Sequence, residues 1–179
     1  MVPLATIRAF DAWLSERSLR FEAVVVGGSA LALLGVTDRQ TRDLDVLHPA
    51  LSETVVRAAR EFAAHVRGDG VQLADDWVNN GPMDLGKVLP EGWLERVQPI
   101  FNGIALTLTT LGREDLLKSK LFALCDRGTD LGDCLALAPT RDELTAAAIW
   151  LVHQDANPMW PEHVRETLAD LSRRLGHGV

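Results

Sequence analysis

The feature that most constrains this chain is a short apolar strand that ends at two glycines and leads directly into a helix-forming segment. The strand is predicted over Phe21 to Val26, which is rich in β-branched residues and is stopped by Gly27-Gly28. Ser29 to Leu34 then has the composition of a helix, and Asp43 to Leu47 alternates acidic and aliphatic residues as a second strand would. The polar connection at residues 36–42 has the right length to return the chain beside the first strand.

The rest of the chain predicts a hairpin and a run of helices. Val97 to Phe101 and Ile104 to Leu108 flank Asn102-Gly103, a dipeptide that suits a two-residue type I′ turn because both positions tolerate positive φ. Thr140 with Glu143 forms a capping-box pattern at the start of one helix. Helices are expected at residues 4–14, 52–66, 113–126, 130–137, 140–154 and 161–175.

These elements predict a mixed α/β (α+β) fold, in which a small mixed sheet is flanked by helices and followed by a C-terminal helical lobe. Pro139 is a candidate boundary between a domain of residues 1–138 and an extension of residues 139–179. The last two helices total only about 40 residues, which is short for an independent core, so we expect the extension to pack on the first part as a single compact unit.

The composition excludes several classes of protein. The 179 residues are 47% hydrophobic, and 18 basic against 25 acidic residues give a net charge of -7, which is typical of a compact soluble domain. This acidity argues against a protein that binds along long nucleic acid through an overall positive surface, but it does not exclude a local basic cleft. Arg165, Arg173 and Arg174 in the last helix suit a basic strip, although a solvated helix face is the commoner role of such residues.

The cysteines and the N-terminal segment favour a cytoplasmic protein with no membrane partner. Cys125 and Cys134 lack the paired spacing of a zinc site, so reduced thiols are expected. No stretch reaches the roughly 20 apolar residues of a membrane span. Arg8, Asp11 and Glu16 interrupt the first apolar pattern, which indicates an amphipathic helix instead of a signal peptide.

Two acids in the second strand are candidate metal ligands. Because side chains alternate along a strand, Asp43 and Asp45 project on one side while Leu44 and Val46 face the core. Two converging carboxylates are stable together if they hold a hard divalent cation such as Mg²⁺ (or Mn²⁺), which also bridges substrate phosphates. A solvated strand edge is an equally good interpretation of these acids taken alone.

The glycine turn is a candidate phosphate site. Gly27 and Gly28 let the backbone approach a ligand, and Ser29 adds a hydroxyl to the free N–H groups at the start of a helix, which suits a triphosphate. Taken alone, the same residues fit an ordinary strand-to-helix turn. Together with the two acids they predict a site in which the glycine turn holds the triphosphate and Asp43 and Asp45 hold the metal that neutralises it.

Together these residues read Gly-Gly-Ser-Ala-Leu, seven residues, then Arg-x-Thr-x-Asp-x-Asp. This pattern resembles the entry motif of the polymerase β type nucleotidyltransferase superfamily. The resemblance is greatest to small bacterial nucleotidyltransferase-like proteins that include AbiEii-type toxins of toxin-antitoxin systems. It implies that Asp43 and Asp45 bind the metal and that Arg39 and Thr41 belong to the nucleotide site.

A second stretch is similar to a later motif of that family, in which a helix lysine and a following arginine and aspartate pair complete the nucleotide pocket. Here the residues are Lys120, Arg127, Asp130 and Asp133. Lys120 and Arg127 are two helical turns apart, so both can point into one cleft, while Lys118 should point elsewhere. A solvated helix face is the alternative for Lys120 and Arg127. Asp130 and Asp133 either orient the arginine or are ordinary helix-start acids.

The superfamily commonly has a third carboxylate on a later strand, which helps to bind metal and deprotonates the attacking hydroxyl. Asp75, Asp76 and Asp84 are candidates, and Asp76 precedes the apolar piece Trp77-Val78. If no acid reaches the site, catalysis is weakened or lost while nucleotide binding survives.

The function predicted from these patterns is metal-dependent transfer of a nucleotidyl group from an NTP to an acceptor hydroxyl. By resemblance, the acceptor is tRNA or a protein, and the chain is a toxin held in check by a cognate antitoxin. The alternative is an inactive nucleotide-binding or protein-interaction module with the same fold.

Overall fold

The computed structural model describes residues 4–38 and 41–177. Its strands are β1 (Phe21–Val26), β2 (Leu44–His48), β3 (Val78–Asn79), β4 (Gln98–Asn102) and β5 (Leu106–Thr110). Its α-helices are α1 (Leu4–Glu16), α2 (Gly27–Leu33), α3 (Glu53–Gly68), α4 (Leu85–Val88), α5 (Arg113–Arg127), α6 (Leu131–Leu137), α7 (Arg141–Leu151) and α8 (Trp160–Arg174), and a 3₁₀ turn covers Trp93–Arg96. The predicted mixed α/β fold is therefore confirmed.

The strands form one mixed sheet in the order β3-β2-β1-β5-β4. β1 is central, antiparallel to β2 and parallel to β5, while β3 runs parallel to β2 and β4 antiparallel to β5. The chain divides into two compact units, of residues 1–87 with 92–111 and of residues 88–91 with 112–179. The boundary after residue 138 stays a prediction.

One face of the sheet carries the core of the first unit. Val25 in β1 is fully buried and lies opposite Val46 of β2, as the period of two predicts. An aromatic cluster from α1, α3 and the segment before β3 belongs to the same core. Phe10 packs against Phe62 and Trp77 with ring centroids 5.2 and 5.1 Å away. Each such buried ring stabilises the fold by roughly 1.5–3 kcal/mol relative to an exposed one.

The predicted hairpin is confirmed, but its predicted two-residue turn is wrong. β4 ends at Asn102 and β5 begins at Leu106, so the connection spans residues 103–105, and the last pair of the two strands is Asn102 with Thr107. The reason is Asp11, which was expected to mark the polar side of α1 and is instead buried. Its carboxylate accepts the backbone N–H groups of residues 104, 105 and 106 at 3.1, 2.8 and 2.8 Å.

Gly103 is required here for space, not for positive φ. A Cβ on Gly103 would collide with the carboxylate of Asp11. Burial raises the pKa of Asp11. The hydrogen bonds from Ala105, Ile104 and Leu106 together lower it by more, so the pKa of Asp11 is below its ordinary value. The hairpin loop is thus wrapped around an ionised side chain from α1.

The second unit is held at one end by a capping box that also binds an arginine. The Thr140 hydroxyl accepts the Glu143 N–H, and the Glu143 carboxylate accepts the Thr140 N–H, which confirms the predicted cap. The Arg113 guanidinium donates to the same carboxylate at 2.6 and 3.0 Å. Chiefly because of Arg113, the pKa of Glu143 falls to about 2.

Both cysteines of this unit are free and buried, as expected. Burial raises the pKa of Cys125 to about 11 and that of Cys134 to about 12, so both are protonated thiols at neutral pH. Along the described ranges 4–38 and 41–177, no helix has both the length and the apolar character needed to cross a membrane.

Candidate functional site

The glycine turn leads into a helix with no intervening loop. We expected a separate turn before a helix beginning at Ser29, but α2 begins at Gly27 itself, which has a φ of +76°. This left-handed value is easily reached only by glycine. Val26 is the N-cap, and no side chain caps the first turn. The backbone therefore changes direction at the carboxyl end of β1.

Asp45 lies directly against this turn. Asp45 pairs with Val26 across β1 and β2 and projects from the face opposite to the buried Leu44 and Val46, as the alternation predicts. The placement of Asp43 on the same side stays a prediction. A Cβ on Gly27 would lie 2.5 Å from Asp45 Oδ2. Gly27 thus gives the carboxylate its space as well as making the turn.

Asp43 is exposed one residue before β2 begins. Thr41, two residues earlier, is half-buried, and its Oγ1 is buried without a hydrogen-bond partner. A buried hydroxyl without a partner costs free energy, which makes it a natural candidate to meet a ligand. Arg39, the first residue of this predicted site segment, lies outside the described residues.

Gly28 and Ser29 are both buried in the first turn of α2. The Ser29 hydroxyl donates to Val26 O at 3.4 Å, so it is turned towards the protein backbone in this structure. The phosphate role of Gly27, Gly28 and Ser29 stays a prediction.

Asn79 of β3 contacts Asp45 from the other side. The parallel register places Asn79 next to Asp45, and its Nδ2 donates to Asp45 Oδ1 at 3.2 Å. The sequence does not single out Asn79, because β3 is only two residues long and shows no periodicity, and because the superfamily pattern has an acid on its later strand. The run Asn79-Asn80-Gly81 after an apolar pair was the available signal.

The candidates for a third carboxylate lie at the surface. Asp75 pairs with Arg67 at 2.7 Å and Asp84 with Lys87 at 2.6 Å, while Asp76 is exposed just before Trp77. Across the described ranges, no group of three or more His, Cys, Asp or Glu side chains is placed to hold a metal ion. The role of Asp76 stays a prediction.

The second predicted stretch forms a buried ion cluster within the second unit. Lys120 of α5 donates to Asp133 Oδ2 at 2.7 Å and lies 3.5 Å from Asp130 Oδ1. Asp130 is the N-cap of α6 and has a φ of +65°, and Asp133 is in the first turn of that helix. Both acids therefore lie at the start of a helix, which is where one of the two interpretations puts them. Lys120 is a cationic partner of both acids, and the role of the acids in orienting Arg127 stays a prediction.

Arg127 is exposed at the last residue of α5, so the structure does not bring it together with the buried Lys120. Lys118 is held by Glu114 at 2.5 Å, apart from the Lys120 cluster as expected. The arginines of α8 pair within their own helix, Arg165 with Glu162, and Arg173 and Arg174 with Asp170. These pairs favour a solvated face over a basic strip.

The geometry can be set beside known proteins. A scan of family models matches residues 3–136 to a family described as "Nucleotidyltransferase of unknown function (DUF6036)". The matched range contains both predicted site segments. No curated protein and no solved structure matches the chain at a significant level.

Proposed function

We propose, because the chain belongs to this family of nucleotidyltransferases of unknown function, that it moves a nucleotidyl group from an NTP to an acceptor hydroxyl in a reaction dependent on Mg²⁺ or Mn²⁺. The hydroxyl oxygen attacks the α-phosphorus, the bond from that phosphorus to pyrophosphate breaks with its electron pair leaving on pyrophosphate, and the hydroxyl proton passes to water.

The observation that carries this proposal is the contact between Gly27 and Asp45. A turn that only glycine adopts easily lies against an acid of the neighbouring strand, with no room between them for a Cβ. A phosphate approaching the turn therefore arrives beside a carboxylate. Two anionic groups share such a place only if a cation lies between them.

The oxygen atoms offered by β2 and by the segment before it suit a hard cation. Asp43 and Asp45 offer carboxylate oxygens, and Thr41 Oγ1 is buried without a partner. Oxygen ligands of this kind are those that Mg²⁺ prefers. A bound Mg²⁺ would neutralise phosphate charge and stabilise in-line displacement at phosphorus. The chain's own part is to hold Asp45 against the turn before the nucleotide arrives.

The remaining nucleotide contacts of the proposal come from residues carried over by resemblance. The resemblance assigns Gly28 and Ser29 to the triphosphate, and it assigns Arg39, Lys120, Arg127 and Asp130 to further nucleotide contacts. For Lys120 this requires exchange of its ion pair with Asp133 for a phosphate. Arg127 is already exposed and meets an anion without such an exchange.

The acceptor and the biological role follow from the resemblance to AbiEii-type toxins. We propose tRNA or a protein as the acceptor and a cognate antitoxin as the binding partner. Expression of the chain in a bacterial host should then slow growth, and the Asp45→Asn variant should not. Equal growth of the two strains would contradict the toxin role.

A second candidate function is a nucleotide-binding or interaction module without turnover. It is favoured by Asn79, which occupies the strand position beside Asp45 and carries no charge. A site with an amide in this place has one general base fewer than a site with a third acid.

The experiment compares binding with transfer. Melting temperature is measured with Mg²⁺ and each NTP in turn, and transfer is measured from an α-labelled NTP to total tRNA and to protein. The transferase proposal predicts a nucleotide-dependent rise in melting temperature, label in the acceptor, and loss of the label in both Asp43→Asn and Asp45→Asn. Asp69→Asn, which neutralises an exposed acid after α3, is the matched control.

The two candidates separate cleanly. If nucleotide binding persists in both aspartate variants and the wild type transfers no label, the chain is a binding module. If neither NTP nor Mg²⁺ changes the melting temperature, the transferase and the nucleotide-binding module both fail, and only the protein-interaction module is left.

A further inference from the structure

Asn79 and Asp45 are brought together by strand pairing. β2 and β3 run parallel, Leu44 pairs with Val78, and Asp45 pairs with Asn79. Val78 is buried with Leu44 on the core side, so Asn79 follows Asp45 to the opposite face. The contact between the two side chains is thus a result of register, which is fixed by the buried pair beside it.

The orientation of the Asn79 amide is set by a second hydrogen bond. Its Oδ1 accepts the backbone N–H of Gly81 at 2.7 Å. Because an amide oxygen cannot take the place of an N–H donor, the Nδ2 group must face Asp45, to which it donates at 3.2 Å. A Cβ on Gly81 would lie 2.8 Å from the same Oδ1, so glycine keeps the amide in place.

Both oxygens of Asp45 are therefore defined by neighbours. Oδ1 accepts from Asn79, and Oδ2 lies against the α-carbon of Gly27. A carboxylate fixed in this way loses little conformational entropy when it takes up a cation. Mutation of a group that holds a metal ligand by a hydrogen bond typically weakens metal affinity by about 10- to 100-fold.

The neighbouring Asn80 makes a different set of contacts. Its Nδ2 donates to the backbone oxygens of Val46 and Pro49 at 2.9 and 3.1 Å, and its Oδ1 accepts from Leu51 N at 2.6 Å. All three contacts are to backbone around the end of β2. Asn80 stabilises the fold there and does not contact Asp45, so it is a natural comparison for Asn79.

We infer that Asn79 is a positioning residue of the proposed cation site, where it holds the carboxylate of Asp45 by its Nδ2 group. The inference rests on the proposed function for the existence of that site. It assigns to β3 an uncharged group that orients Asp45 and adds no third negative charge. The proposed site therefore has two carboxylates, those of Asp43 and Asp45, and a neutral amide that orients Asp45.

The first test is Mn²⁺ binding, followed by electron paramagnetic resonance of the free ion. Asn79→Ala should weaken Mn²⁺ binding about 10- to 100-fold, the usual effect of removing such a supporting hydrogen bond. Asn80→Ala should lower the melting temperature but leave Mn²⁺ affinity of the folded protein unchanged. Asp69→Asn should change neither, because its side chain is exposed just after α3 and has no role in the proposed site.

A second variant keeps the test decisive if Asn79→Ala folds poorly. Asn79→Asp puts a carboxylate beside Asp45, and the two repel unless a cation lies between them. Its melting temperature should therefore rise more between EDTA and Mg²⁺ than that of the wild type. An equal rise in both proteins overturns the inference.

The outcomes distinguish the inference from the proposed function. If the wild type binds Mn²⁺ and Asp45→Asn does not, the cation site exists, and an unchanged affinity in Asn79→Ala then overturns the positioning role alone. If the wild type binds no Mn²⁺, the cation site of the proposed function fails and the inference falls with it.

Discussion

Two lysines of α5, two residues apart, show how differently the same side chain is held. Lys118 and Lys120 are both mostly buried, with 10% and 8% of their side chains exposed. The partner of Lys118, Glu114, is 67% exposed, whereas the partner of Lys120, Asp133, is 3% exposed. The first pair is therefore weakened by solvent, and the second lies in a low-dielectric interior.

Replacement of these lysines by methionine should separate the two pairs. Lys120→Met leaves the carboxylate of Asp133 buried without its lysine and should lower the free energy of unfolding by about 3 kcal/mol or more. Lys118→Met, the matched control, should cost less than about 1 kcal/mol because Glu114 is returned to water. Urea denaturation measures both. A normal stability for Lys120→Met with loss of nucleotide binding would instead support a phosphate contact as its main role.

At the scale of elements, the hairpin and α1 depend on each other through a carboxylate and a missing side chain. Asp11 takes three backbone N–H groups of the hairpin loop, and Gly103 leaves the space for it. Each unpaired buried N–H costs about 1–3 kcal/mol. The loop conformation is thus a property of α1 as much as of its own sequence.

A double-mutant cycle tests this dependence. Asp11→Ala should lower the free energy of unfolding by about 3 kcal/mol through the loss of its hydrogen bonds. Gly103→Ala should be strongly destabilising in the wild type, because its Cβ displaces the carboxylate, but nearly neutral in the Asp11→Ala background. Effects that simply add would show that the two residues do not interact.

The capping box of α7 predicts a pH dependence with a definite sign. The pKa of Glu143 falls to about 2 in the folded chain from an ordinary 4.5, chiefly through Arg113. Its charge therefore contributes stability in full above about pH 4.5, and this contribution is lost as the pH falls from there towards 2.

Glu143→Gln isolates that charge, since glutamine also completes a capping box. The variant should be less stable than the wild type at pH 7 by about 1 kcal/mol, and the difference should shrink as the pH is lowered towards 3. Asp142→Asn, at an exposed acid of the same turn, is the control. A difference that does not change with pH would contradict the role of the charge.

At the scale of the whole molecule, the sequence predicts the elements that are set by residue alternation and local composition. It misses the features that depend on residues distant in the chain. β1 is predicted to the residue because Phe21 to Val26 is a run rich in β-branched and apolar residues that is followed by two glycines. The hairpin turn is mispredicted because Asp11 reaches it from 93 residues away. Asn79 enters the site only through the pairing of a strand too short to have a pattern.

Net charge sets the last expectation. The chain carries -7, and the arginines of α8 are paired with Glu162 and Asp170 on their own helix. General attraction to a polyanion is therefore weak, and the protein should pass through a heparin column at about 0.15 M salt, where exposed charges are screened beyond about 8 Å.

Asp170→Asn is the sensitive comparison, because it removes the ion-pair partner of Arg173 and Arg174 and makes the net charge of -7 less negative by one unit. It should be retained slightly longer than the wild type at low salt. Firm retention of the wild type would mean that a local basic surface outweighs the net charge. An RNA acceptor would then be held through many phosphates, and its affinity would fall steeply with salt; passage through the column instead confines any RNA contact to a few phosphates and a shallow salt dependence.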